Sequence, residues 1–383
     1  MYCLYYLDSQ LAVCCNLRPL LSALELKFEL PCRDDLWSAP TAEAWQALAA
    51  DQNGSFNEED DDAANAEPRP APGDLYNSLL NLMNPRPPGK PLGLLWNSSF
   101  ASLVLVMQIL MMVRDLTLGS TFLYNNIRAD DCSQTSTLSI ISESSRAQVM
   151  QALEALANLM PPISPQNHEV SGPFPIDNSV WNHVWIAWHY TALSVTHQDG
   201  LLTNGMVEYS LPAAISTAWE LGKPRSKQYR DIYEDRDVAR VAKHLAQILA
   251  HLTKPSLGAT TGRQCRTAED PFTTMIAFKS CLMGWRMVRL IAISLEEGSE
   301  REVASSLSCM YMAFGRTVMR DILMAMEPEV GDVFFDGSTT ELLNDSEARY
   351  VERVEAAIAR RKVWPAALWI GAVFSEAQQG IKQ

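Results

Sequence analysis

Four short runs follow one another at the start of the chain: Leu7-Asp8-Ser9-Gln10, Asn16-Leu17-Arg18-Pro19, Glu29-Leu30-Pro31-Cys32-Arg33-Asp34-Asp35-Leu36-Trp37 and Ala39-Pro40-Thr41-Ala42-Glu43-Ala44-Trp45. The first lies in a helix. Leu4, Leu7, Leu11 and Cys14/Cys15 repeat at the three- and four-residue spacing of one helical stripe. Arg18-Pro19 closes that helix, because proline cannot donate to the preceding turn. Pro40-Thr41 opens the next, with Thr41 as N-cap before Ala-Glu-Ala-Trp. Trp37 and Trp45 are expected to be buried aromatics that anchor this segment to the core. No N-cap residue precedes Tyr2, so the chain reads as beginning inside an element whose upstream half is missing.

These runs resemble the middle region of the fungal-specific transcription factor domain, in members that pair it with two-cysteine, two-histidine zinc fingers. Two weaker strips extend the resemblance. One is an aromatic-and-histidine helix followed by His197-Gln198-Asp199-Gly200-Leu201-Leu202. The other is Ala239-Arg240-Val241-Ala242-Lys243-His244-Leu245-Ala246-Gln247-Ile248-Leu249. The resemblance implies an all-helical regulatory domain over residues 1–383, partial in that its N-terminal half and the upstream DNA-binding module are missing. It implies a nuclear transcription regulator, often of a metabolic or secondary-metabolite gene cluster, working through protein partners of the transcription machinery, a DNA-binding regulator or a small effector.

Composition sets independent limits. The chain has 383 residues, 47% of them hydrophobic and 20% charged, ample for a sizeable core. Its formal net charge of -14 argues against holding duplex DNA alone, since that affinity rests on lysine and arginine neutralising phosphates. An acidic chain suits protein partners better. The 8 cysteines include no C-x-x-C pair and read as buried, reduced thiols. Met1 to Val13 lacks a basic start, so no signal peptide is read. Leu94 to Val113 carries no charge and is long enough to span a membrane, but Asn97, Ser98, Ser99, Ser102 and Gln108 mark it as a buried core helix instead.

The remaining chain reads as helices and loops. Residues 51–73 form an acidic, proline-rich disordered loop, dense in like charge and poor in aromatics. A short helix over 74–84 is capped by Asp74, with Leu75, Leu79, Leu82 and Met83 inward. A long apolar helix runs from about Leu92 to Leu118 and stops at Gly119 as C-cap. Residues 129–142 are a loop. Residues 143–160 are a helix with Val149, Leu153, Leu156 and Met160 on one face, and 163–179 a loop. Further helices cover 179–197, 205–221, 232–253, 271–295, 299–326, 340–362 and 366–379, with a loop at 255–270 and Trp364-Pro365 dividing the last two. No alternating run long enough for a sheet and no fixed-period repeat appears, so the fold class is all-α, about ten helices.

Chemistry-bearing patterns are incomplete. A magnesium-dependent diphosphate cyclase needs an acidic run on one helix and an Asn/Ser/Glu run on another. Asp60-Asp61-Asp62 falls in the acidic loop, Asp130-Asp131 lacks the distal acid, and Asn344 is followed by Ala348 where Ser or Thr is required. His183 and His189, six apart, fall on roughly opposite helix faces. His244 and His251 share a face but lack a cysteine partner or an H-E-x-x-H pattern. There is no G-x-S-x-G elbow, and Gly258-Ala259-Thr260-Thr261-Gly262-Arg263 lacks the spacing and ending of a phosphate loop. Lys223, Arg225, Lys227 and Arg230 are offset by Asp231, Glu234, Asp235 and Asp237, and Arg349, Arg353, Arg360, Arg361 and Lys362 line one helix; both clusters read as solvated faces. The expectation is therefore a non-enzyme with no catalytic, metal or cofactor residues. The apolar helix at 94–118 and the Trp-rich helix at 181–190 are the candidate walls of any effector pocket. The alternatives are a small-molecule-binding protein or enzyme on a reused scaffold, or a truncated remnant.

Overall fold

A computed structural model describes residues 1–15, 17–54, 73–84, 95, 98–127, 141–161, 178–196, 212, 238–253, 271–300, 339–359 and 369–376. The described elements are α1 (Tyr2–Cys15), a 3-10 turn (Ala23–Glu25), α2 (Asp34–Trp37), α3 (Ala42–Gly54), α4 (Leu75–Met83), α5 (Ser99–Ile127), α6 (Glu143–Leu159), α7 (Asn178–Thr196), α8 (Val238–Thr253), α9 (Pro271–Glu300) and α10 (Thr339–Ala359). Residues 369–376 are also helical. Among the described residues there is no β-strand, only an isolated bridge between Glu29 and Asp74. The all-α expectation holds.

The caps explain where helices start. Thr41 Oγ1 accepts the Ala44 amide at 3.1 Å, and Asp74 Oδ1 accepts that of Asn77 at 2.8 Å. Both were legible as N-caps. Ser142 does the same for α6 through the Ser145 amide. The start of α5 is capped from a distance: Asp34 Oδ2 accepts the Ser99 amide at 3.1 Å. Ser98 Oγ in turn donates to the carbonyls of Pro31 and Cys32. The Pro31–Trp37 run therefore acts as a clasp on the head of α5.

Packing is centred on α5 and α7, which contribute to both clusters of the core. One cluster gathers α4, α6 and the Leu26–Leu30 segment; the other gathers α8, α9, α10 and residues 369–376. The inward faces expected for α4 and α6 are the buried ones, with Met83 only half-buried. At the crossing of α8, α9 and α10 the backbones come close. A Cβ on Gly284 would stand 2.9 Å from Leu245 Cδ2 and run into the Tyr350 ring, whose hydroxyl donates to the Cys281 carbonyl at 2.8 Å. The Ser99–Gly119 window is long and apolar enough to cross a membrane, yet 72% of it is buried against other helices. That is the behaviour of a core helix.

Three expectations are corrected. Trp37 is 82% exposed and Trp45 49% exposed, so neither anchors α2 or α3 to the core. In α1 the buried face is Tyr2, Tyr5, Ser9, Gln10, Ala12, Val13 and Cys14, while the Leu4/Leu7/Leu11 stripe faces outward. Gly119 does not end α5, which continues to Ile127; a side chain there would meet nothing within 4 Å, so the position is an open helix surface. The acidic segment at 51–73 begins as the last turn of α3. Its remainder, the helices expected at 205–221 and 299–326, and the turn after His197 lie mostly or wholly outside the described residues. None of the described cysteines forms a disulfide; Cys14 and Cys281 are buried as expected, whereas Cys3 and Cys32 are exposed.

Candidate functional site: the histidine–tryptophan seam between α7 and α8

The amphipathic periods of α7 and α8 bring two rows of side chains together. Asn182, Trp185 and His189 share one stripe of α7; His244 and His251 share one stripe of α8. Across the seam, His189 Nδ1 and His244 Nδ1 lie 3.0 Å apart, with ring centroids at 5.3 Å. An imidazole nitrogen sits about 1.2 Å from its ring centre, so these separations place the two nitrogens head-on. One Nδ1–H donates and the other Nδ1 accepts, which requires opposite tautomers when both rings are neutral. His251 Nδ1 lies 3.0 Å from Asn182 Oδ1, an oxygen that only accepts, so this nitrogen carries the proton.

Aromatic rings enclose the pair. Trp188 lies edge-on to His189 at 4.9 Å and tilted against His244 at 5.5 Å. Trp185 packs at 5.6 Å from Trp188 and 6.0 Å from His189, and His251 lies 6.2 Å from His189. The Trp188 indole N–H donates to the Leu153 carbonyl of α6 at 2.9 Å, whereas the buried Trp185 Nε1 has no acceptor among the described residues. Burial holds His189 well below the ordinary histidine range and brings His244 down to about 4; adjacent cationic groups, Lys243 among them, push the same way. His189 and His244 are therefore uncharged at neutral pH.

What this arrangement can do chemically is limited by its geometry. Two imidazoles on one tetrahedral ion converge at an angle, with nitrogens about 3.3 Å apart for metal bonds near 2.0–2.1 Å. Here the nitrogens face each other directly. Among the described residues no group of three or more His, Cys, Asp or Glu side chains is arranged to hold a metal ion. The seam is a proton-sharing contact in an aromatic cage.

The sequence spacing anticipated the shared face of His244 and His251 but not the meeting with His189, because no within-helix period encodes register between helices. His183 is half-buried on α7, and His197 lies outside the described residues. The candidate pocket walls are core: Val104, Leu105, Val106, Met107 and Ile109 of α5 and Trp181 of α7 are at most 1% exposed. Arg349 and Arg353 lie half-buried on α10. The acidic runs at 60–62 and 130–131, the basic cluster at 223–230, the glycine loop at 258–263 and the basic run at 360–362 lie outside the described residues.

A second region is built differently. In residues 1–37, side chains bind backbone across gaps in sequence. Tyr2 Oη donates to the Phe28 carbonyl at 2.6 Å, and Asp8 Oδ2 accepts the amides of both Leu20 and Leu21 at 2.8 Å. Arg114 Nη2 of α5 donates to the Leu17 carbonyl, Tyr5 Oη to Gln108 Oε1 and Gln10 Nε2 to Met107 Sδ. Fully buried Lys279 of α9 donates to the Val13 carbonyl at 3.0 Å; burial lowers its pKa. Asp8, Gln10 and the Leu17 carbonyl are thus staples between α1, its connector and α5. Residues 1–154 match the Fungal specific transcription factor domain. The match runs from α1 into α6 and takes in the staples and the clasp; the α7–α8 seam lies beyond it. It supports a role in transcription regulation. No curated protein and no solved structure matches the chain.

Proposed function

We propose that this chain is a nuclear transcription regulator of a metabolic or secondary-metabolite gene cluster. It acts through protein partners, a DNA-binding regulator among them, with a small effector as a further input. The observation that carries this reading is the match of residues 1–154 to the Fungal specific transcription factor domain. Two features are consistent with it. The net charge of -14 disfavours duplex DNA as a direct ligand, so DNA contact is assigned to another polypeptide or another part of the protein. Among the described residues the two imidazoles that meet at the centre of the seam, His189 and His244, are neutral and have no carboxylate or nucleophile between them, which favours a regulatory over a catalytic role.

The test is transcript and metabolite profiling of a strain lacking the gene beside its parent. Coordinated change across a contiguous group of genes is the expected result. Unchanged transcripts with one accumulated metabolite would overturn it in favour of an enzyme. The purified chain is expected not to shift promoter DNA alone at physiological salt.

A further inference from the structure

Helix α1 ends in two adjacent cysteines, Cys14 and Cys15. Neither is in a disulfide; Cys14 is 3% exposed and Cys15 half-buried. The last carbonyls of a helix have no partner within it. Two cations from other helices reach this end of α1. Lys279 Nζ of α9 donates to the Val13 carbonyl at 3.0 Å, and Arg114 Nη2 of α5 donates to the Leu17 carbonyl at 3.0 Å. The two bonds bracket the cysteine pair along the chain. Lys279 is fully buried, and among the described residues the Val13 carbonyl is the one acceptor for the three donors of its ammonium. Burial disfavours that ammonium; Cys14 and Cys15 favour it, and Arg114 opposes it. The cysteine pair and the two buried cations therefore occupy one junction of α1, α5 and α9.

We propose that Cys14 and Cys15 are a reversible oxidation site for hydrogen peroxide, at which a Cys14–Cys15 disulfide releases the end of α1. The half-buried Cys15 sulfur is the one solvent reaches, so it attacks a peroxide oxygen first. The O–O bond breaks, a sulfenic acid forms, and water leaves with the thiol proton. The Cys14 sulfur then attacks the Cys15 sulfur. An S–S bond forms, the S–O bond breaks, and the hydroxyl leaves as a second water with the Cys14 proton. Two thiols and one peroxide thus give one disulfide and two waters; the sulfurs lose two electrons and the peroxide oxygens gain them. Adjacency in the chain supplies the second thiol, which captures the sulfenic acid before it oxidises further. Cys3 and Cys32 are more exposed, but neither has a neighbouring cysteine in the sequence.

Helix geometry makes the product a switch. Adjacent helical side chains point about 100° apart. Adjacent Cα atoms are about 3.8 Å apart, short of the roughly 4.4–6.8 Å that a disulfide usually spans. The bond closes only when the last turn of α1 unwinds. Unwinding draws the Val13 carbonyl from Lys279 and the Leu17 carbonyl from Arg114, the bonds that fix this end of α1 to α9 and α5. A disulfide strained in this way is readily reduced by thiols, which makes the change reversible.

The test exposes the purified, reduced full chain to hydrogen peroxide and digests it without reductant for mass spectrometry. A loss of about 2 Da, two hydrogens, is expected on the peptide that holds Cys14 and Cys15, and dithiothreitol reverses it. Cys14→Ser or Cys15→Ser is expected to abolish this loss, while Cys3→Ser and Cys32→Ser leave it in place. The oxidised chain is expected to unfold at lower urea than the reduced one, with no such difference in Cys15→Ser. In Lys279→Met, where the bond to Val13 is already gone, the drop is expected to shrink by about half or more. Four results overturn the proposal: oxidation of Cys15 to sulfinic or sulfonic acid with no disulfide, a disulfide that needs Cys3 or Cys32, a Cys14–Cys15 disulfide that leaves the urea midpoint in place, or a drop undiminished in Lys279→Met.

Discussion

The N-terminal segment and the α7–α8 seam solve opposite problems. Residues 1–37 are tied to the head and middle of α5 by side chains that bind backbone, Asp8 and Asp34 from the segment and Ser98 and Arg114 from the α5 side, while Leu20 and Trp37 face solvent. In the seam the apolar rings surround polar atoms that pair across it, His189 with His244 and His251 with Asn182. The first region is positioned by directional bonds to the backbone and leaves its surface free for partners. The second is held by burial and depends on its imidazoles staying neutral. Each therefore has its own way to fail.

The largest expected effect separates them by pH. His189 and His244 are held below the ordinary histidine range in the folded chain, so the unfolded chain binds more protons as pH falls. The contribution of His244 to stability is whole above about pH 6.5, falls through the window down to about pH 4, and is level below it; that of His189 is lost in the same direction. For His244, brought down to about 4, this amounts to about 3 kcal/mol; His189 adds to it. Denaturant titration at a series of pH values checks this. His244→Asn, which can still hydrogen-bond but does not titrate, is expected to flatten the profile in that window. An unchanged profile in the variant means that the acid sensitivity comes from elsewhere.

The next effect sharpens the same contrast through packing. Gly284→Ala puts a methyl group into the Tyr350 ring and against Leu245, at a crossing already closed by the Tyr350–Cys281 hydrogen bond. The expected cost is about 2 kcal/mol, because overpacking forces rotamers or backbone to shift. A cost near zero in urea titration would mean that α9 and α10 slide apart easily. In the N-terminal region the comparable change is Asp34→Ala, which removes the acceptor for the Ser99 amide at the head of α5. About 1 kcal/mol is expected, the usual loss on deleting a cap. Asp34→Asn should recover most of it; no recovery would assign the loss to something other than the cap.

These contrasts also show which parts of the molecule could be read ahead. The Thr41 and Asp74 caps are local chemistry and appear as such in the sequence. The inward faces of α4 and α6 follow from a single apolar stripe on each helix. Helix α1 has apolar residues all round, so its period names two candidate faces and only the neighbours choose between them. They choose the face with Ser9 and Gln10, against the plain expectation that leucines go in. The His189–His244 contact is illegible for a related reason: each partner's stripe is visible, but the register of α7 against α8 is set by packing.

Trp37 carries the smallest expected effect and the sharpest test of the N-terminal reading. Sequence logic buries a tryptophan, and its neighbour Leu36 is indeed 8% exposed. On a helix, adjacent residues point about 100° apart, so α2 can seat only one of the two. Its orientation is fixed by polar bonds: the Leu36 amide donates to Asp35 Oδ1, Arg33 pairs with Asp35, and Asp34 reaches the Ser99 amide. Those bonds seat Leu36 and turn Trp37 out. Trp37→Ser is therefore expected to change stability by less than about 0.5 kcal/mol, as for an ordinary surface position, and Trp45→Ser by a similar amount. Leu36→Ser should cost several times more. If Trp37→Ser instead cost more than about 1 kcal/mol in denaturant titration, packing of the ring rather than the polar clasp would set the orientation of α2, and the contrast with the α7–α8 seam would fail at its weakest element.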